Sequence, residues 1–228
     1  MALQQLKALI FDLDGTLVDS EPNYFKGDRD FIESYGGQYT EKDHQDFIGK
    51  GSLALIERLK ENLGVQKAVP SLLEEKDRFY RKYARENTAV FPEMEKILKV
   101  GESLNLPMAV ASGSSSEVIA EILEITGLKR YFQLTVSSEE VEKGKPEPHV
   151  FLETARRLNV KPEECLVFED SLYGLLSGHR AGMKVVFIPS VVKKDHGPYL
   201  AADCYYEEGM PQFSVAHCWS WVRKNFCV

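Results

Sequence analysis

Cysteine is scarce. The four in 228 residues, at positions 165, 204, 218 and 227, show no C-x-x-C spacing, which excludes a disulfide scaffold. Cys165 adjoins the apolar run Leu166-Val167-Phe168 and reads as a core thiol, and His217-Cys218 with Cys227 reads more simply as free side chains near a C-terminal helix than as metal ligands. Positive charge is in deficit: 28 Lys and Arg stand against 35 Asp and Glu, a net charge of −7. A nucleic-acid or membrane-surface binder needs a basic patch, so neither partner class is expected. No apolar stretch reaches the roughly 18 residues of a membrane span. The start, MALQQLKALIF, lacks the small residues of a leader cleavage site, so the expectation is a cytoplasmic protein. G-x-x-x-x-G-K-[ST] is absent, which excludes a P-loop nucleotide site. The D-x-D-x-D-G spacing is absent too, which excludes an EF-hand.

What is present is enough to build a core: 43% hydrophobic and 11% aromatic residues, well above a disordered composition. Short apolar runs at Ala8–Asp12, Met108–Ala111, Leu134–Val136, Leu166–Phe168 and Val185–Ile188 are continuous rather than alternating. Such runs are strands buried on both faces, and those after the first alternate with helical patterns. The predicted fold class is α/β, with a Rossmann-like, doubly wound parallel sheet. Helix ends are legible: Ser114 with Glu117 forms a capping box for a helix through Ile125, Pro148 opens one to Leu158, and Ser171 starts another that stops near Gly182.

One segment breaks the alternation. Between about Tyr24 and Ala89 helical periodicity recurs without a strand, including Phe25–Tyr35, Ser52–Leu63 and a helix capped by Ser71 and Glu74. That is too long for a loop. It predicts an inserted all-helical cap over residues 20–89, with the core formed by 1–19 and 90–228. The stripe Phe79, Tyr80, Tyr83 is expected to form the insert's own core. Phe213 to Phe226 predicts an amphipathic helix on the sheet; a monomer is expected, with that helix the alternative dimer contact.

In parallel α/β sheets ligands bind beyond the carboxyl ends of the strands. Here those ends read Asp12-Leu13-Asp14-Gly15-Thr16, then Ala111-Ser112-Gly113-Ser114, then Lys143-Gly144-Lys145-Pro146, then Glu169-Asp170-Ser171. Each alone passes as a turn, a cap or a solvated end. Together they crowd carboxylates, a hydroxyl and an amine onto one edge. Like charges that close require a cation, and all-oxygen donors suit Mg²⁺. Lys145, the Ser112 hydroxyl and backbone N–H groups at Gly113 and Ser114 make an anion cradle. A metal beside an anion cradle suits a phosphoryl group. A carboxylate can attack phosphorus, so Asp12 is expected to be the nucleophile, with Asp14 protonating the leaving oxygen.

These four motifs, in order from residue 12 to residue 170, resemble the haloacid dehalogenase superfamily of phosphohydrolases. The insert resembles its class I cap, and the stretches Asp19-Ser-Glu-Pro22, Gly144-Lys-Pro-Glu-Pro148 and Phe168-Glu-Asp-Ser171 resemble its β-phosphoglucomutase and phosphoglycolate phosphatase branch. The resemblance implies a phosphoric monoester hydrolase acting on a small phosphorylated metabolite. It implies catalytic Asp12, Asp14 and Lys145, phosphate binding by Ser112, Gly113 and Lys145, and Mg²⁺ at Asp12, Asp14 (through its carbonyl), Glu169 and Asp170. Asp14 separates the chain from the dehalogenases, which lack a second aspartate. Lys50, in the cap loop Ile48–Ser52, is the candidate contact to the substrate's non-reacting part. The sugar-phosphate mutases of this branch carry a cap histidine shortly after the Asp19 position. Here Asn23-Tyr24-Phe25 follows, which favours a phosphatase over the alternative, a β-phosphoglucomutase-like mutase. A receiver-like phospho-switch fits less well, because it has no use for Asp14 or a cap.

Overall fold

The computed structural model describes residues 3–47, 51–191 and 197–228. The strands are β1 Gln4–Gln5, β2 Ala8–Phe11, β3 Val18–Asp19, β4 Ala89–Val90, β5 Met108–Ser112, β6 Leu134–Ser137, β7 Cys165–Glu169, β8 Lys184–Phe187, β9 Cys204–Tyr205 and β10 Phe226–Cys227. The helices are α1 Glu21–Ser34, α2 Glu41–Phe47, α3 Gly51–Leu63, α4 Val69–Asn87, α5 Pro92–Ser103, α6 Ser116–Ile125, α7 His149–Leu158, α8 Leu172–Arg180 and α9 Val215–Asn225. Among the described residues no helix is long and apolar enough to cross a membrane.

The chain divides into two compact units, Met1–Asp19 with Val90–Val228, and Ser20–Ala89. In the first, six parallel strands lie in the order β6-β5-β2-β7-β8-β9. This is the doubly wound arrangement, whose strand order reverses between β2 and its neighbours. β2 is fully buried because helices cover both faces. Ala8 and Ile10 pack with Val150 and Phe151 of α7 and Leu175 of α8, while Gly101 of α5 comes close to Leu9 on the opposite face. In the register, Phe11 lies opposite Phe168, and their rings stack at 4.8 Å. That pairing sends Asp12 and Glu169 out of the sheet side by side.

Two local expectations need correction. α6 is capped by Ser115, whose side chain accepts the Val118 N–H, one residue later than expected, because Ser114 turns elsewhere. α4 starts at Val69 with a proline in its first turn. Proline needs no N–H partner there, so the helix opens before Ser71. α9 meets both α5 and the edge of the sheet, where Cys218 lies beside Cys204 of β9, and it buries Cys218, Trp219 and Val222. The two-residue edge strand β9 and the β1–β10 ladder carry too few residues for a periodicity signal.

The helical unit has its own core of Phe31, Ile32, Tyr39, Leu55, Ile56, Leu59 and Leu72. Of the aromatic stripe, Tyr80 is buried and stacks on Tyr24, Phe79 packs against the core, and the Tyr83 hydroxyl donates to Asp30 at the rim. Lys76 and Asp28 form a buried ion pair at 3.0 Å. Burial pushes the Asp28 carboxyl up, and Lys76 opposes that shift. Lys76→Met leaves a buried carboxylate alone, so the unit should lose about 3 kcal/mol. Amide hydrogen exchange should rise across 20–89 and stay unchanged in the sheet.

Candidate active site

The strand ends bring most of the expected residues together. Lys145 comes off the loop after β6 and is only 9% exposed at its side chain. Its ammonium donates to Asp12 Oδ1 at 2.5 Å, to Glu169 Oε1 at 2.6 Å and to the Ala111 carbonyl at 3.0 Å. It thereby ties three neighbouring strand ends to one cation. Burial opposes its charge, but Asp12 and Glu169 outweigh that and hold the ammonium above the usual lysine range. The Asp12 carboxyl is pushed up to about 8, first by burial, with Lys145 opposing and Glu169 and Asp14 adding.

Glu169 is fully buried. Its Oε1 accepts from Lys145, and its Oε2 accepts from the backbone N–H groups of Asp170 and Ser171 and from the Ser171 hydroxyl. Protein donors therefore occupy both oxygens. This geometry fits a counter-ion for Lys145 and a brace for the β7–α8 turn better than a metal-facing carboxylate. The brace depends on Gly174, where a Cβ would lie 1.7 Å from Glu169 Oε1. Gly174→Ala is expected to cost about 1–3 kcal/mol, read as a lower melting temperature.

Asp14 lies in the bend after β2, where Gly15 takes φ +78°. A Cβ at Gly15 would lie 2.3 Å from Asp170 Oδ2, so the bend needs glycine for conformation and for space. Thr16 donates to Asp170 Oδ1 at 3.0 Å, linking this bend to the β7 end. Ser112 is buried, and its Oγ accepts the Ser114 N–H at 3.1 Å. Gly113 is exposed on the loop beyond β5. The Ser114 hydroxyl donates to Asp14 Oδ2 at 2.6 Å. Sequence reasoning missed that contact, because Ser-Gly-Ser-Ser before a helix reads as capping. Lys50 lies outside the described residues.

The donors fit Mg²⁺. Asp12, Asp170 and a backbone carbonyl in the Asp14 bend are all hard oxygens, and Mg²⁺ takes one or two carboxylates while keeping several waters. Among the described residues no three His, Cys, Asp or Glu side chains are grouped to hold an ion. Two carboxylates and a carbonyl are a donor set of the kind Mg²⁺ takes, with water completing its shell. The raised Asp12 carboxyl is the kind of group that a divalent cation returns to its ionised form.

A family model described as haloacid dehalogenase-like hydrolase matches residues 9–188. The chain is 34% identical to a phosphorylated carbohydrates phosphatase of Thermotoga maritima, covering 80% of this chain and 84% of that protein. It is 31% identical to the fructose-1-phosphate phosphatase YqaB of Escherichia coli, covering 80% and 96%. The structure of a putative β-phosphoglucomutase from Thermotoga maritima superposes with a TM-score of 0.71 at 29% identity, covering 90% and 96%. A β-phosphoglucomutase from Clostridium difficile gives 0.81 at 22% identity over 96% and 98%, a likeness of fold. Phosphatases of this family generally use Mg²⁺. With its sheet topology, its strand-end carboxylates and these relatives, the protein belongs to the haloacid dehalogenase-like hydrolases, as a phosphoric monoester hydrolase.

Proposed function

We propose that this chain hydrolyses a phosphorylated carbohydrate or similar small phosphomonoester through an aspartyl-phosphate on Asp12. The observation that carries the reading is Lys145, held between Asp12 and Glu169 where the strand order reverses. Asp12 attacks phosphorus in line with the leaving oxygen. Asp14 gives that oxygen its proton, then takes one from the water that hydrolyses the acyl phosphate. Lys145, the Ser112 hydroxyl and the Gly113 N–H hold the phosphoryl oxygens, while the Ser114 N–H stays on Ser112 Oγ. Mg²⁺, held by Asp12, Asp170 and the Asp14 carbonyl, supplies charge neutralisation of those oxygens when bound. Glu169 keeps Lys145 aimed. Residues 20–89 act as the cap that selects the substrate, with Lys50 as a candidate contact.

Two of the relatives carry names for phosphatases of phosphorylated carbohydrates, which sets the first substrates to try. Phosphate release should be measured with fructose 1-phosphate, β-glucose 1-phosphate, phosphoglycolate and nucleoside monophosphates. The expected result is turnover of a sugar phosphate that EDTA abolishes and Mg²⁺ restores. Full activity in EDTA, or none on any phosphomonoester, would sink the reading.

A mutase is the second reading, favoured by the likeness to the putative β-phosphoglucomutase. Position 23 and its neighbours carry no histidine, but α2 brings His44 to 3.1 Å from Glu21 at the start of α1. Incubation with β-glucose 1-phosphate separates the two: a mutase yields glucose 6-phosphate, and the phosphatase yields free phosphate.

A further inference from the structure

We propose that Ser114 is a positioning residue that holds the Asp14 carboxyl in place for proton transfer to the leaving oxygen. This rests on the reading of Asp14 as acid and base. Ser114 is anchored on every side. Its N–H donates to Ser112 Oγ, its carbonyl accepts from the Ser137 hydroxyl at 2.7 Å, and its own hydroxyl donates to Asp14 Oδ2 at 2.6 Å. Ser112 and Ser137 are themselves buried at the ends of β5 and β6. The serine is therefore fixed by the sheet rather than by the helix that follows, and the capping work falls to Ser115.

Asp14 needs such a partner. The bend fixes its backbone, with the Gly15 N–H donating to the Val18 carbonyl at 2.9 Å. A backbone in a bend still leaves a short carboxylate a choice of staggered rotamers. A proton donor must sit within hydrogen-bond reach of its target, and a displacement of about 1 Å costs about 10²-fold. The hydrogen bond across 100 residues of chain selects one rotamer. It joins the β2 bend to the β5 end.

A positioning role has a signature that a phosphate contact or a structural role lacks. Proton donation matters most when the leaving group is basic. The test is kcat/KM for a series of substituted phenyl phosphates, from dinitrophenyl through para-nitrophenyl to unsubstituted phenyl. Ser114→Ala should lose about 30-fold on phenyl phosphate and no more than about threefold on the dinitrophenyl ester. Ser114→Thr, which keeps the hydroxyl, should recover phenyl phosphate to within about threefold. Ser114→Cys, with a weaker donor of similar size, should fall between and serves if the alanine variant does not fold. Equal losses across the series, or none, overturn the proposal. Asp14→Asn is the control. A steep Asp14→Asn response with a flat Ser114→Ala response overturns the Ser114 assignment alone. A flat Asp14→Asn response overturns the acid role itself, and the Ser114 assignment with it.

Discussion

Asp12→Asn should abolish turnover, with a loss in kcat of about 10⁴-fold or more, because an amide cannot form the acyl phosphate. Steady-state phosphate release is the measurement. A variant within tenfold of the wild type would remove Asp12 as the nucleophile. The same substitution has an opposite effect on stability. With no metal bound, burial pushes the Asp12 carboxyl up to about 8 in the folded protein, far above the usual carboxylate range. A carboxylate raised on folding favours the protonated form, so the metal-free wild type loses stability as pH rises from about 4 to about 8. Asparagine has no charge to lose. At pH 7 in EDTA, Asp12→Asn should melt higher by about 2–8 °C, and the gap should close towards pH 4. The inactive variant is thus expected to be the more stable one.

Lys145→Met should be damaging in both respects. It leaves Asp12 and Glu169 facing each other in a buried site with their shared cation gone. Removing one partner of a buried pair costs about 3–5 kcal/mol, which thermal or urea denaturation will read. The loss of a charge aimed at the phosphoryl oxygens should lower kcat by about 10²–10³-fold. Pairing it with Glu169→Gln separates the effects: the double variant should regain much of the stability and none of the activity. If Lys145→Met alone unfolds no more easily than the wild type, the charge cluster is not what holds these strand ends together.

Much of the candidate site was legible because its side chains sit where buried strands stop. An apolar run such as Ala8–Phe11 has one reading, and the polar residue after it lies at the sheet edge. Asp12, Ser112 and Glu169 could therefore be ranked without coordinates. The division of labour among them was harder to read. Glu169 and Asp170 are adjacent in sequence, yet one turns back to Lys145 and the β7–α8 turn while the other meets Thr16. That choice is made by side-chain rotamers and by the space at Gly174, which leave no mark on spacing. Ser114 was hidden for a similar reason. Local capping chemistry explains a serine before a helix well, and only the sheet brings Asp14 to it. Substrate choice is less legible still, because side-chain geometry leaves no mark on spacing.

The sheet order also has a consequence for the time course of synthesis. The strand carrying Asp12 is among the first segments made, but the partners of Asp14, Asp12 and Thr16 lie 100, 133 and 154 residues further on. The helical unit closes its contacts within residues 20–89. Local contacts form early and distant pairings late, and chains fold in the order they emerge. The helical unit can then be finished on the ribosome while Asp12 still awaits Lys145. A chain interrupted midway would carry a folded helical unit and none of the strand-end partners of Asp12.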